Sequence, residues 1–293
     1  EVLHTVEASI PEPGPGEVRI AVEAAGVQPF DAALRRGDMQ SIRPIDLPGR
    51  LGNEAAGTVE AAGPDTATRV GSQVIAFLDM QGYASHVVVS ETQLVPKPAR
   101  MGWAEAGALS VSGQTASTAL EALGVGPDDR LLIHAAAGGV GSLAVQIARI
   151  HGARVIGTAS ERNHAFLRSL GAEPVTYGPG LADRIRELCP EGITLALDAI
   201  GGEAVDVSME LIGDRARVVT LTDWRAAQKH GIRRIGTDRS TQRLSQLTEW
   251  HTEGKLRVTV ADEFPLEEAA EAHRRIESGH TRGKLVLRPG SRT

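Results

Sequence analysis

Two kinds of hydrophobic spacing divide this chain. In its N-terminal third, apolar and polar positions alternate over short stretches: "VRIAVEAAGV" (18–27), then "GNEAAGTVEAAGP", "GSQVIAFL" and "YASHVVVS". Successive side chains of a strand point to opposite faces, so a period of two predicts half-buried strands. Glycine and proline clusters such as "PEPGPGE" (11–17) predict the turns between them. The expected product is a small β-rich barrel or roll. From Trp103 the spacing becomes helical in "WAEAGALSVSGQTASTALEAL", which "GVGPDD" ends. Beyond it, the apolar runs "RLLIHA", "ARVIGTAS", "EPVTY", "ITLALDAI" and "ARVVTLT" are separated by helix-compatible segments such as "ERNHAFLRSLG" and "GLADRIRELC". Strands apolar on both faces and spaced by single helices suit a parallel sheet, because a parallel crossover needs a helix's length. An α/β class with a doubly wound parallel sheet from 131 to about 238 follows. The tail "FPLEEAAEAHRRIESGHTRGKLVLRP" reads as an amphipathic helix, a turn and a last strand, and its spacing leaves open which domain it joins.

A length of 293 residues admits one large or two medium domains. With 31 Lys and Arg against 37 Asp and Glu, and no block of like charges, nucleic acid and anionic membranes are disfavoured as partners. The single cysteine, Cys189 in "ELCPEG", has no partner for an internal disulfide; a reducing compartment and a buried, inert thiol are expected. No run approaches the roughly 18 apolar residues of a membrane span, and the N-terminus lacks a basic-then-apolar signal pattern, so a cytoplasmic protein is expected.

The chemistry is concentrated in "LLIHAAAGGVGSLAVQIAR" (131–149): strand, glycine-rich turn, helix. In that context Gly138 and Gly139 let the backbone approach a pyrophosphate, Gly141 lets the helix pack closely, and the helix N-terminus offers unpaired N–H groups. Ala136 stands where the usual fingerprint begins with glycine, so the turn must differ slightly. An NAD site ends its second strand with an acid about 20 residues after the glycines, to hold the ribose hydroxyl. Here the strand runs into Gly157, Thr158, Ala159 and Ser160, with Arg162 and His164 after it, a hydroxyl and a cation suited to a 2′-phosphate. Glu161 speaks against this, but as the first residue of a helix it is expected to face water. NADPH is the expected cofactor over NADH. A further oddity is Gln28, a polar amide directly after an apolar strand, which suggests that something binds it.

The set "AGVQPFDAALRRG", "LGNEAAGTVEAAGP", "SGQTASTAL", "HAAAGGVG", "VIGTASERNHAFLRSLGA", "LDAIGG" and "SGHTRGKLVL" resembles the zinc-independent quinone oxidoreductases of the medium-chain dehydrogenase/reductase superfamily, in order and over almost the whole chain. The resemblance implies a GroES-like catalytic domain from 1–110 and 256–293, a Rossmann nucleotide-binding domain at 111–255, and an active site in the cleft between them. It implies that alanine at Ala136 is ordinary for this branch. The family usually opens with a strand ahead of the position of Glu1; either that strand is lacking here or another segment covers the edge, which would otherwise invite pairing. The zinc ligands of related alcohol dehydrogenases fall at Gln28, Asn53 and near Val111 and Ser112, where an amide oxygen is a poor substitute for thiolate or imidazole.

By the same resemblance, Gln28 and Asp31 lie at the nicotinamide end and act by orientation and hydrogen bonding, while Phe30 and Asn53 line the substrate. Thr115 contacts the nicotinamide ring, Val140, Ile200 and Leu221 accompany it in the cofactor site, and Tyr177 packs near the adenosine 2′-phosphate. Asp31 also has a plain reading as a helix-cap carboxylate, and His134 one as a structural residue beside the loop. The tyrosines that line quinone pockets are replaced by Ala33 and Met39, and Tyr83 is expected to be a core or interdomain aromatic. The implied function is NADPH-dependent hydride transfer to a quinone or an α,β-unsaturated carbonyl, in a homodimer formed through "IRRIGTD". The alternative is a nucleotide-binding protein of this fold without redox activity, with a sensor, structural or cyclase-like role.

Overall fold

The structure, a computed structural model, describes residues 3–40 and 43–290. The N-terminal part contains β1 (Glu17–Val27), α1 (Pro29–Arg36), β2 (Glu54–Ala62), β3 (Gln73–Phe77), β4 (His86–Ser90), β5 (Leu94–Pro96) and α2 (Trp103–Leu123). The middle runs β6 (Arg130–Ile133), α3 (Gly139–Ile150), β7 (Arg154–Thr158), α4 (His164–Ser169), β8 (Glu173–Val175), α5 (Leu181–Leu188), β9 (Leu195–Asp198), α6 (Glu203–Ile212), β10 (Val218–Thr220), α7 (Trp224–His230) and β11 (Arg233–Arg234). The last part is α8 (Thr241–Thr252), β12 (Val260–Pro265), α9 (Ala269–Glu277) and β13 (Lys284–Arg288).

Two compact units result. One takes the residues up to 111 and from 239 onward; the other is 112–238, the division falling within α2. The first holds a seven-stranded sheet in the order β12-β13-β1-β2-β3-β5, with β4 also on β1. Strand β1 takes β4 along its first half, from Glu17↔Ser90 to Ala21↔His86, and β13 along its last residues, from Ala25↔Leu287 to Val27↔Leu285. Its alternation behaves accordingly. Val18, Ile20 and Val22 face the core with Val59, Val74, Val87 and Val89, whereas Ala24 to Val27 are buried without a break. The cause is cover on both faces: Val27 packs with Ala269, Ala272 and Leu285, and Gly107 of α2 lies against Ala24, where an added Cβ would stand 2.6 Å from the Ala24 methyl.

The expected boundary at residue 256 lies later than the observed return to the first unit at Arg239. The intervening helix α8 buries Leu244 and Leu247, lies near β5, and carries His251, whose Nε2 is 3.9 Å from Glu105. Amphipathic spacing announces such a helix without saying which core accepts its apolar face. Strand β12, parallel to β13, lies outside the tail elements that the spacing announces, because its side chains are largely exposed and carry no hydrophobic period.

The second unit is the expected doubly wound one. All its strand pairs are parallel, and the six-stranded order β11-β10-β9-β6-β7-β8 reverses direction at β6. In such sheets ligands bind beyond the carboxyl ends of the strands at the switch point, here where β6 and β9 adjoin. Leu131, Leu132, Ile133, Ile156 and Leu197 form the buried floor beneath it. No helix among the described residues is long and apolar enough to cross a membrane.

Gly141 tests this packing, since a Cβ there would lie 2.3 Å from the Ala135 carbonyl oxygen and 2.8 Å from Ala136 Cα. Gly141→Val is expected to lower the unfolding free energy by about 1–3 kcal/mol or more, as overpacking does. Gly236→Ala, with nothing within 4 Å of the added atom, is expected to leave the denaturation midpoint in place.

Candidate active site

In the first unit a connected set of buried polar side chains surrounds the end of β1. Gln28 leaves the strand as N-cap of α1, Pro29 occupies the first turn, and Gln28 and Asp31 form a reciprocal capping box. Asp31 Oδ2 accepts the Gln28 backbone N–H at 2.9 Å and the Tyr83 hydroxyl at 3.0 Å, while Oδ1 accepts Asn53 Nδ2 at 2.8 Å. The Gln28 side-chain amide donates to Glu54 Oε1, which also receives Lys284 Nζ at 3.0 Å; Glu54 Oε2 takes the Val111 backbone N–H at 2.7 Å. Tyr83 Oη lies 3.2 Å from His273 Nε2, and the two rings meet edge to face at 5.7 Å. Gln28, Asp31, Asn53, Glu54, His273 and Lys284 are all buried.

Sequence reasoning selected Gln28, Asp31 and Asn53, and the fold brings the three together; Phe30 stands on α1 with its ring exposed. Glu54, Lys284 and His273 were missed, although "GNEAAG", "RGKLVL" and "EAHRRIE" each carry a polar residue at the edge or in the middle of an apolar pattern. Tyr83, expected as a core or interdomain aromatic, packs against two apolar clusters of the first unit and also places its hydroxyl on Asp31. Burial pushes the Asp31 carboxyl up to about 6, against the opposing pull of the Gln28 N–H, Tyr83, Asn53 and Lys284. Burial and the nearby Asp31 and Glu54 charges hold the Tyr83 phenol well above its ordinary range.

In the second unit, β6 ends at Ile133 and the chain turns at Ala135, whose φ is +54°. Ala135 N–H donates to Thr158 Oγ1 at 3.1 Å and Ala136 N–H to the Thr158 carbonyl at 3.0 Å, tying the loop to the end of β7. The left-handed residue is therefore Ala135. Ala136 is free to carry a methyl, which faces Gly157, where an added Cβ would lie 2.7 Å away. Gly138 caps α3 in extended conformation, and Gly139 and Val140 form its first turn, leaving that N-terminus without a side-chain cap.

At the neighbouring strand ends, Thr158 pairs with Val175, so Ser160 and Tyr177 each stand two residues beyond one register position. Arg162 is exposed in the turn after Ser160 and enters no ion pair among the described residues, and Tyr177 is 54% exposed. Ile200 is exposed after β9, where Asp198 Oδ1 accepts the Ile200 and Gly201 N–H groups at 3.0 and 2.8 Å and Oδ2 accepts Thr220 Oγ1 at 2.6 Å. Leu221 N–H donates to the Asp198 carbonyl, and Thr115 Oγ1 sits 2.6 Å from Thr237 Oγ1. His134 is buried against Ser208 at 2.9 Å, with its pKa lowered by burial to about 4, as suits a structural residue. Cys189 is buried beside Gly192 and Arg154, and burial raises its thiol pKa, which makes it unreactive.

Residues 14–109 match the family described as alcohol dehydrogenase GroES-like domain, and residues 170–287 the family described as zinc-binding dehydrogenase. Quinone-oxidoreductase QR1, chloroplastic, from Triphysaria versicolor is 30% identical over 98% of this chain and 94% of its own length. A solved structure described as an NAD-dependent alcohol dehydrogenase shares 30% identity at a TM-score of 0.87, covering 98% of this chain and 96% of that one. A mycobacterial protein complexed with NADPH shares 29% identity at a TM-score of 0.85, covering 97% and 94%. The chain belongs to the medium-chain dehydrogenase/reductase superfamily, with quinone oxidoreductases among its relatives, and is an oxidoreductase of GroES-like and Rossmann construction.

The metal in the second family's description does not fit these residues. Gln28 and Asn53 place neutral amides, weak ligands beside thiolate or imidazole, at two of the ligand positions, and the carboxylates beside them, Glu54 and Asp31, are engaged by those amides' N–H groups. Among the described residues, no three His, Cys, Asp or Glu side chains gather as a metal site.

The Asp31 carboxyl yields a pH prediction. Its folded pKa of about 6 lies above the ordinary 3.8. The protonated form thus favours the fold at low pH, and that contribution is lost as pH rises through about 6. Between pH 4 and 7 the loss should amount to about 3 kcal/mol of unfolding free energy. Denaturant titrations of wild type and Asp31→Asn should show this component only in the wild type; parallel profiles would contradict it.

Proposed function

We propose that this chain is an NADPH-dependent reductase that delivers hydride to a quinone or an α,β-unsaturated carbonyl without a metal. The observation that carries the reading is the pair of buried amides, Gln28 and Asn53, anchored on Glu54 and Asp31 at the positions where metal ligands would be needed. Asn53 Nδ2 has two N–H groups, and Asp31 takes one. The second is the donor we assign to the acceptor's carbonyl oxygen, on which negative charge grows as hydride arrives. Phe30 lines the acceptor, and Asp31 positions Asn53. Gln28 orients the acceptor end of the site by holding α1 to β2 through Glu54. Quinones and enones are both polarised conjugated carbonyls, and one donor serves either. We assign the closing proton to solvent.

When bound, NADPH supplies the hydride. Gly138, Gly139 and Val140 at the α3 N-terminus bind its pyrophosphate side, Thr115, Ile200 and Leu221 hold the nicotinamide side, and Ser160, Arg162 and Tyr177 read the 2′-phosphate. The relatives differ on this point, one described as NAD-dependent and one complexed with NADPH. The exposed, unpaired Arg162 and the lack of an acid at the end of β7 support NADPH here. A cytoplasmic homodimer joined along β11 completes the reading; Arg233 and Arg234 of that edge strand are exposed.

Purified protein mixed with NADPH and a panel of quinones and enones should consume reduced cofactor with at least one acceptor class. Tight cofactor binding without oxidation by any acceptor would sink the proposal. Arg162→Ala should weaken NADPH binding roughly 10- to 100-fold, the range of one charge-assisted contact, and NADH binding far less. Equal losses for both cofactors would remove Arg162 from phosphate reading.

A further inference from the structure

Arg239 is the residue at which the chain returns to the first unit, and its guanidinium is fastened there at two points. Nη1 donates to the Leu78 carbonyl oxygen at 2.5 Å, and the guanidinium carbon lies 5.9 Å from the centre of the Phe77 ring. Phe77 pairs in register with Glu54, and the Leu78 N–H donates to the Asn53 carbonyl at 2.8 Å. The cation is therefore held on the strand pairing that flanks the Asn53–Glu54 end of β2, the end that carries the amide assigned above to the acceptor.

Its charge is not answered by the protein. Arg239 enters no ion pair among the described residues. Asp79, the carboxylate nearest along the strand, is paired with Arg43, and Glu54 is committed to Lys284, Gln28 and the Val111 N–H. Asp79 and Glu54 attract the cation and Arg43 repels it, yet burial outweighs them and moves the guanidinium below its ordinary pKa. Withdrawing a charge from water without a counter-ion costs stability, and an arriving anion returns it. With Nη1 on Leu78, the Nε and Nη2 N–H groups remain for two oxygens of an oxyanion, which an arginine fork matches.

We propose that Arg239 is the anion-reading residue of the acceptor site, so that the preferred hydride acceptor carries a carboxylate, sulfonate or phosphate group as well as its conjugated carbonyl. This rests on the reading of Asn53 as the acceptor's donor. The same oxyanion chemistry occurs in the cofactor's own phosphates, and the experiment separates the two sources.

Initial rates with NADPH are compared for a neutral naphthoquinone and its sulfonate, and the affinity for naphthalenesulfonate, which accepts no hydride, is measured by calorimetry. Wild type should show a KM at least ten-fold lower for the sulfonate and should bind naphthalenesulfonate. Arg239→Gln should raise the sulfonate-to-neutral KM ratio at least ten-fold and abolish naphthalenesulfonate binding, with Arg239→Lys intermediate. The Kd for NADPH should shift far less than that ratio. A wild type without preference for the sulfonate, an unchanged ratio in Arg239→Gln, or a loss confined to NADPH affinity would each overturn the proposal. If neither quinone is reduced, naphthalenesulfonate binding decides alone: binding that is lost in Arg239→Gln supports the anion subsite, and no binding by wild type overturns it, whereas the reductase reading stands or falls on the full panel of quinones and enones.

Discussion

A carboxylate with no access to water organises the first unit. Glu54 begins β2 in the interior, and a buried anion is tolerated only when paired and hydrogen-bonded. It meets that demand with Lys284 from the start of β13, the Gln28 amide from the end of β1 and the Val111 N–H of α2. Removing any one of these leaves part of the charge unanswered, so the carboxylate holds four elements in mutual register. It also dictates the residue at 26, because a Cβ there would stand 2.1 Å from Glu54 Oε1. The glycine of "AAGV" is thus a clearance for a charge rather than a flexible joint.

From that anchor the rest of the site follows by hydrogen bonding. Gln28, held by Glu54, starts α1; α1 presents Asp31; Asp31 collects Asn53 and Tyr83; and Tyr83 reaches His273 on α9. In the proposed reaction, amides held on carboxylates stand as fixed donors in place of a metal, which suits charge developing on a carbonyl oxygen. Because Asp31 titrates near 6, the charge inside this network changes at mildly acid pH rather than far below it. The protein keeps its polar interior close to a protonation boundary while every member retains a partner.

In the proposed reading the second unit has a different requirement, the close approach of backbone to a phosphate. Its loop is tied to β7 by Thr158 and turned at Ala135, and the packing between Ala136 and Gly157 shows how a methyl is accommodated where the usual fingerprint has glycine. The strand ends then present an open helix N-terminus, the Ser160 hydroxyl and, among the described residues, an Arg162 guanidinium outside any ion pair.

Legibility differed between the units for physical reasons. Continuous apolar runs with single helices between them suit a doubly wound parallel sheet, so that class, the glycine loop and the end of β7 were readable from the sequence, while the strand order was not. Alternation predicted β1, β2, β3 and β4 but not their partners, and β12 escaped notice because a largely exposed strand carries no hydrophobic signal. The placement of α8 in the first unit was equally hidden, since Leu244 and Leu247 fit either core. In the site, Gln28, Asp31 and Asn53 stood out as polar residues in apolar surroundings or through the resemblance, whereas Lys284 lies 230 positions from the carboxylate it pairs with. Local periodicity determined the two kinds of domain, and the glycine-rich loop with the resemblance pointed to a nicotinamide cofactor. Which buried charge met which partner was decided only by tertiary structure, because an ion pair between distant positions leaves no trace in the spacing of either.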